Sequence, residues 1–255
     1  MTNVWVWLLA VRAQFRAMRG SPVALILGIV QPVVFLVIVA ESAPALPVQQ
    51  GTTLVVGVVL TALWASTIWS AGGILRADLQ RGNLALIAVG VRSPAIVLLG
   101  RCAGAILRIA PVITGSTIVT ALALGLPLHV GRPLVLLLGL VLVVVSAVGL
   151  GVLLSCLFLV TRHATMWAAA LMYPVFIISG MIIPLHLIPA GLRAFSVVIS
   201  LRWAAEFLAA AAAGHVSWSS LGAMVGLTVL YFCVGLAVFR RLLNRARQEG
   251  TIDHG

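Results

Sequence analysis

Residues 134–160 read LVLLLGLVLVVVSAVGLGVLLSCLFLV, a run without a single charged side chain. A helix of about 20 apolar residues is long enough to cross the hydrocarbon core of a bilayer, so this run predicts a membrane span. Of all 255 residues, 62% are hydrophobic and 8% are charged, and the mean hydropathy is +1.21. This composition predicts an all-α membrane protein with one domain over residues 1–255, and it excludes a soluble fold.

Further apolar runs extend the same prediction to six spans. The predicted spans cover residues 22–40, 51–75, 104–126, 134–160, 164–183 and 218–239. The connection at 184–217 is too apolar for a solvated loop, and Pro184 and Pro189 interrupt it. It therefore predicts a short re-entrant helical pair at the outer face, because irregular backbone at membrane depth must be buried against protein or line a cavity.

Residues 1–20 precede the first span and predict an amphipathic helix. Apolar side chains recur at helical spacing along one face, namely at Val4, Leu8, Val11, Phe15 and Met18. Such a helix either lies in the membrane interface or continues the first span into the cytoplasm. A signal peptide cut near residues 43–45 is a further alternative, but the preceding apolar run of about 19 residues is longer than usual for one.

The charged residues predict the orientation of the chain. All sixteen basic residues are arginine and the net charge is +11; the arginines flank apolar runs, which favours membrane lipid over nucleic acid as a partner. With the N-terminus inside, only Arg132, Arg193 and Arg202 fall outside, so both termini are expected in the cytoplasm. Arg101 and Arg108 are expected to snorkel at the inner face. A lysine-free, arginine-rich composition is typical of GC-rich bacterial genomes, which suggests a bacterial inner (plasma) membrane.

The sequence holds few groups for catalysis. The absence of lysine excludes a P-loop lysine and a Schiff-base lysine, and no histidine has metal-ligand spacing. We therefore expect no enzyme and no cofactor or metal on this chain. Glu41, Asp78 and Glu206 fall at span ends or in connections, which weighs against a proton-coupled carrier.

Two segments give the sequence a family resemblance. Residues 78–84, after the second span, read DLQRGNL and are followed by SP at 93–94. Residues 179–184, after the fifth span, read SGMIIP and are followed by Pro189 and by EFL at 206–208. In their order within six spans, these segments resemble the membrane subunits of ABC-2 type exporters, which include bacterial drug, lipid and polysaccharide exporters.

The resemblance implies partners and a coupling site. In such exporters the segment after the second span, here residues 76–95, forms a short coupling helix that docks on a separate cytoplasmic ATPase, and that ATPase holds the ATP and Mg²⁺. Two permease subunits enclose the pathway, as a homodimer or a heterodimer. The docking candidates here form a mixed-charge patch with a glycine that either makes a positive-φ turn or is incidental. They are Arg76, Asp78, Gln80, Arg81 and Gly82.

Candidate pathway residues are hydroxyl and aromatic side chains of the second and fifth spans. They are Thr61, Ser66, Thr67, Ser70, Tyr173 and Phe176. The alternative is that the hydroxyls bond backbone or a neighbouring helix and that the aromatic rings only pack. In the outer connection, together with Pro184 and Pro189, Glu206 is expected to brace the helices against Arg202 or Arg193.

The sequence thus predicts the permease of an ATP-driven exporter for a hydrophobic or amphiphilic compound, such as a drug-like natural product or a lipid. Short outer loops leave no room for a receptor domain, which fits export better than import. The alternatives are a secondary transporter or lipid scramblase, and a membrane anchor; a hydroxyl stripe that faces a cavity would favour transport over an anchor. Gly100 with Gly104 and Gly222 with Gly226 have close-packing spacing, either within the chain or between subunits.

Overall fold

The computed structural model describes residues 3–19, 22, 26–42, 48–83, 93–128, 130–178 and 196–248, whose regular structure is helical. The helices, numbered in chain order, are α1 Asn3–Ala17, α2 Gln31–Ser42, α3 Val48–Ser66, α4 Ile74–Gln80, α5 Pro94–Ala123, α6 Pro133–Val160, α7 Ala164–Ile178, α8 Ser200–Ala212 and α9 Trp218–Gln248. A π-helical turn, Ile26–Val30, precedes α2, and another, Thr67–Ala71, joins α3 towards α4.

Among the described residues, four helices are long and apolar enough to cross a membrane. They are Gly51–Gln80, which joins α3 and α4, and then Pro94–Ala123, Pro133–Val160 and Trp218–Arg245. Two shorter apolar helices, Ile26–Glu41 and Ala164–Phe176, coincide with the first and fifth predicted spans. The predicted class, an all-α membrane protein, is confirmed, while the count of six spans stays a prediction.

Two long helices extend beyond the spans that the sequence suggested. Helix α5 begins at Pro94, ten residues before the predicted span, because proline suits the first turn of a helix. Helix α9 continues past Phe239 to Gln248, since arginine and leucine after the span are good helix formers. Both helices therefore project beyond the length that a bilayer requires.

Helix α3 forms the centre of the molecule and α9 lies at its edge. In the apolar window of Gly51–Gln80, 78% of the residues are buried, against 22% in that of α9. Leu60 and Leu63 are almost inaccessible in α3, which contacts α5 and α8, and so is Ile68 in the following π-helical turn, which contacts α5 and α6. Of the four long helices, the one that contains α3 is therefore the most buried and α9 is the most exposed.

Helix α1 runs alongside the first half of α5 and in the same direction. A Cβ atom on Gly100 would lie 2.7 Å from the Trp7 carbonyl oxygen, and one on Gly104 would lie 2.5 Å from the Val11 carbonyl oxygen. Further along α5, the Ser116 hydroxyl donates to the Gly28 carbonyl at 2.7 Å. Later residues of α5 thus contact later residues of the N-terminal segment, first in α1 and then at Gly28 in the first span. This order favours the alternative that the N-terminal helix continues the line of the first span.

The packed face of α1 differs from the predicted apolar face. Val4, Leu8 and Phe15 of the predicted face are 64%, 47% and 38% exposed in the single chain, so the interfacial position of this face stays a prediction. The side chains that contact α5 are Trp7, Ala10, Val11, Gln14 and Met18, of which Val11 and Met18 belong to the predicted face. The reason is that the glycines of α5 admit the backbone of α1 only along this line, so close backbone approach decides the face.

The two glycine pairs have different surroundings. Gly100 and Gly104 pack against α1, so this pair is a contact within the chain. Gly222 and Gly226 of α9 have no heavy atom within 4 Å of an added Cβ among the described residues. That face of α9 is open in the single chain.

Helix α8 lies between α6 and α9 and reaches far along both. At its end, the Gly131 amide donates to the Ala212 carbonyl at 2.9 Å, next to the start of α6. At its beginning, the Ser146 hydroxyl donates to that of Ser200 at 3.0 Å, and the Ser200 amide donates to the Tyr231 hydroxyl at 3.1 Å. Ser146 is thirteen residues after the start of α6, which is about 20 Å along a helix.

Candidate functional site

The predicted coupling segment ends in an exposed tip. In α4, Ile74 and Leu75 are buried, whereas Gln80, Arg81 and Gly82 are exposed. Gly82 has a φ of +67°, and its amide donates to the Leu79 carbonyl at 3.1 Å. Glycine adopts this left-handed conformation without steric cost, so Gly82 forms the positive-φ turn that closes α4.

Arg76 joins α4 to the turn between α6 and α7. Its Nη1 donates to the Thr161 carbonyl at 2.8 Å and its Nη2 donates to the Arg162 carbonyl at 3.2 Å. These carbonyls follow the last turn of α6 and lack helical partners there. Arg76 is thus half-buried and positions α4 instead of lying on an open patch.

Asp78 is buried, which corrects the prediction that it belongs to an exposed docking patch. Its carboxylate is 2% exposed and forms an ion pair with the Arg101 guanidinium. Arg101 also donates from Nε to the Gln14 side-chain oxygen at 3.0 Å, so it faces protein and does not snorkel to lipid as expected. A buried carboxylate requires a charged partner, and the three side chains join α4, α5 and α1.

Arg108 also contacts α1, one helical stretch further along α5. Its guanidinium lies 4.9 Å from the centre of the Phe15 ring, and its Nη1 donates to the Phe15 carbonyl at 3.2 Å. Cation–π contact and hydrogen bond together fix the end of α1. Arg108 therefore anchors α1, while its expected position at the inner membrane face stays a prediction.

The predicted hydroxyl stripe of the second span consists of Thr61, Ser66, Thr67 and Ser70. The first three hydroxyls donate hydrogen bonds to the backbone of their own helix. Thr61 donates to the Gly57 carbonyl at 2.7 Å, while Ser66 and Thr67 donate to the Leu63 carbonyl at 2.8 and 2.7 Å. All three side chains are buried. In the single chain these three side chains are packed within protein, which agrees with the alternative to pathway lining. Hydroxyls in membrane helices commonly form hydrogen bonds with nearby backbone carbonyls.

The remaining pathway and outer candidates lie in different places. Ser70 is half-buried and Phe176 is 3% exposed. The side chain of Tyr173 and the residues Pro184 and Pro189 lie outside the described residues. Among the described residues, the predicted pathway side chains do not surround one common opening within a single chain.

A small cavity lies beside the stripe, at the beginning of α8. It has a volume of about 20 Å³, and its polar lining residues are Trp64, Thr67, Ser146 and Ser200. This volume accommodates about one water molecule and no larger solute.

Glu206 of α8 is exposed and does not brace Arg202. Arg202 donates from Nη1 to the Ser196 hydroxyl at 2.7 Å and lies 4.8 Å over the Trp203 ring. Within the described residues, Arg101 with Asp78 is the one ion pair. The expected pair is therefore not formed, because the guanidinium turns towards the beginning of α8; Arg193 lies outside the described residues.

Sequence reasoning missed the polar junction that holds the beginning of α8. The Tyr231 hydroxyl donates to the Val198 carbonyl at 2.7 Å and accepts the Ser200 amide, so it caps a helix of another segment. In the sequence, Ser146 and Tyr231 are two of several hydroxyl residues in these apolar runs, and nothing there distinguishes them from the others. In the part of the chain that the structure describes, no three His, Cys, Asp or Glu side chains could hold a metal ion together.

An all-helical bundle with four helices long and apolar enough to cross a membrane, among the described residues, defines the class of a multi-pass membrane protein. The family model for the ABC-2 type transporter matches residues 6–212, more than half of the chain. The chain belongs to this family and is the membrane permease of an ABC transporter, as its sequence segments predicted. No curated protein matches the chain significantly.

Proposed function

We propose that this permease exports a hydrophobic or amphiphilic compound, such as a drug-like natural product or a lipid, from a bacterial cell. A separate cytoplasmic ABC ATPase binds ATP and Mg²⁺ and drives the cycle, and two permease subunits enclose the pathway. The six spans leave both termini in the cytoplasm, in agreement with the distribution of arginine. Family membership over residues 6–212 supports the ATPase partner most directly.

One observation supports the proposed coupling site: the base of α4 is held by contacts with the bundle, and its tip is exposed. Arg76 ties the base to the turn after α6, and Asp78 ties it to Arg101. Gln80, Arg81 and Gly82 extend beyond these anchors. In the proposed site, Gln80 and Arg81 contact the ATPase, while Arg76 and Asp78 transmit its movement to α6, α5 and α1.

A charge reversal at the tip tests this assignment. We expect Arg81→Glu to reduce co-purification of the ATPase at least about tenfold, since like charges placed against each other at an interface cost several kcal/mol. Arg132→Glu is the matched control, because Arg132 is an exposed arginine at the start of α6, at the opposite end of that helix from the Arg76 contacts. Equal ATPase recovery with both variants would exclude Arg81 from the dock.

The pathway is proposed to lie between two subunits. The hydroxyl stripe is packed inside the single chain, whereas Ser70 is half-buried and Trp69 is 37% exposed on the π-helical turn after α3. This open side offers an aromatic and a hydroxyl group to an amphiphile. If transport is assayed in vesicles, alkylation of a cysteine at Ser70 should block export, and a cysteine at the buried Ser66 should remain unlabelled.

The beginning of α8 is proposed to dip into the membrane. Tyr231 lies thirteen residues after the start of α9, and Ser146 lies thirteen residues after the start of α6. Ser200 forms hydrogen bonds with both side chains. If α6 and α9 cross the bilayer, Ser200 lies about 20 Å from their outer ends, within a hydrocarbon core of about 30 Å. Helix α8 then returns from this depth to the start of α6, as a re-entrant helix does.

The outward face of α1 is proposed to bind anionic membrane lipid. A surface groove of about 510 Å³ follows this face; its first half presents Trp5 and Leu9, and its second half presents Arg12, Arg16 and Arg19. Helix α1 carries no acidic residue, so the arginines attract phosphate groups while the apolar half contacts acyl chains. Changing the three arginines to glutamine should reduce the anionic lipid retained after purification, measured by mass spectrometry.

A further inference from the structure

Arg202 lies at an unusual depth for a charged side chain. It is the third residue of α8, and Ser200 two residues earlier bonds Ser146 and Tyr231 near the middle of α6 and α9. An arginine at the centre of a bilayer is costly, so such residues generally pair or face a water-filled cavity. This step rests on the proposed function, because it takes α6 and α9 to span the membrane.

The guanidinium of Arg202 is held at this depth and does not reach back towards the membrane surface. Its Nη1 donates to Ser196, which precedes α8 and is fully buried. Its flat face rests on the Trp203 ring at 4.8 Å, and the Trp203 Nε1 donates to the Val197 carbonyl at 3.0 Å. The aromatic ring and the serine together fix the orientation of the guanidinium.

The charge of Arg202 has no acidic partner among the described residues. Its Nε is buried and lacks a hydrogen-bond partner there, and the ion pair that the structure shows belongs to Arg101. The chain has five acids, and the segment at 179–195 contains none of them. Glu206, one turn along α8, is exposed and does not form an ion pair with Arg202.

From this arrangement we infer that Arg202 binds the anionic group of an amphiphilic solute at the tip of α8. A guanidinium with Nη1 engaged retains the edge of Nε and Nη2, which matches a carboxylate, phosphate or sulfonate through two parallel hydrogen bonds. Ser196 and Trp203 act as positioning residues, because they orient the guanidinium. The substrate class thereby narrows from amphiphiles in general to anionic amphiphiles.

Binding to the full-length permease in nanodiscs of zwitterionic lipid, without ATPase, tests this inference. The probes are a pyrene-labelled alkyl sulfonate, which stays ionised, and the alcohol of the same chain length. We expect the wild type to prefer the sulfonate, and Arg202→Gln to weaken sulfonate binding about tenfold or more while alcohol binding is unchanged. Arg202→Lys retains the positive charge but lacks the two parallel donors of the guanidinium, so we expect it to lose less affinity for the sulfonate than Arg202→Gln does.

Arg132→Gln is the matched control, because it removes an exposed arginine at the start of α6 and should leave both affinities unchanged. Equal affinity of the wild type for sulfonate and alcohol would overturn the inference whether or not the variants fold. Equal loss of both probes in Arg202→Gln would indicate a packing role instead. If Glu206→Gln raised sulfonate affinity, Arg202 would be paired with Glu206 of a second copy in the wild type, which would overturn the inference. None of these results depends on the ATPase, so they are separate from the test at Arg81.

Discussion

Replacing Arg101 by glutamine should destabilise this permease more than any surface change at the same end of the bundle. The substitution leaves the Asp78 carboxylate, 2% exposed, without its cation and next to the apolar cluster of Leu75 and Leu98. Removing one partner of a buried ion pair costs about 3–5 kcal/mol. The hydrogen bond from Arg101 to Gln14 is altered as well, so the attachment of α1 should weaken together with that of α4.

The converse change, Asp78→Asn, should cost less. The amide still accepts a hydrogen bond from Arg101, and Arg101 is 17% exposed, so its charge reaches water more easily than that of Asp78. A loss of about 1–3 kcal/mol is expected for one unsatisfied polar interaction. In the double variant no charge is buried without a partner, so its cost should fall below the sum of the two single costs by about 1–3 kcal/mol.

Apparent melting temperatures of the purified variants provide the assay. For a chain of this size each kcal/mol corresponds to about 2–4 °C, so Arg101→Gln should lower the midpoint by roughly 10 °C. The single variants and the double variant form one double-mutant cycle. A second double-mutant cycle exchanges the two residues, Asp78→Arg with Arg101→Asp, and so retains a pair of opposite charges. Strict additivity in both cycles would refute the reasoning, because it would mean that the two side chains do not interact.

Three further predictions concern single residues. Gly82→Ala should destabilise the end of α4 by about 1–2 kcal/mol, since a residue with a side chain is strained at a φ of +67°. We expect this variant to bind the ATPase more weakly than the wild type, and equal binding would contradict the prediction. Gly104→Val should displace α1 and expose it to protease, whereas Gly115→Val, with open space around its Cβ, is the harmless control; equal cleavage of both would argue against the contact. Cys233 is exposed on α9 two residues after Tyr231, so it should face lipid and, like the two buried cysteines, should react with a maleimide only after unfolding in denaturant; rapid labelling of the folded protein would contradict this.

The sequence predicts the helical class well because the signal is long and strong. A run such as 134–160 has one outcome in a bilayer, and helix α6, Pro133–Val160, occupies that stretch. Family segments at 78–84 and 179–184 likewise depend on local order along the chain. Features that depend on one segment at a time could therefore be predicted.

Features that depend on two distant segments could not be predicted from one sequence. Asp78 and Arg101 are 23 positions apart, and each alone resembles an ordinary charge beside a span. The face of α1 that packs is chosen by the glycines of α5, although its apolar periodicity indicates another face. The depth of α8 follows from hydrogen bonds to Ser146 and Tyr231, which lie far away in the sequence.

The central claim is that this chain works as the permease of an ATP-driven ABC exporter. Affinity purification of the tagged protein from its native membrane in mild detergent, followed by mass spectrometry, tests it most directly. A stand-alone ABC ATPase should accompany the permease in near-stoichiometric amount, and Arg81→Glu should remove it. Reproducible absence of such an ATPase from the wild-type preparation would contradict the claim and favour a transporter that works without ATP.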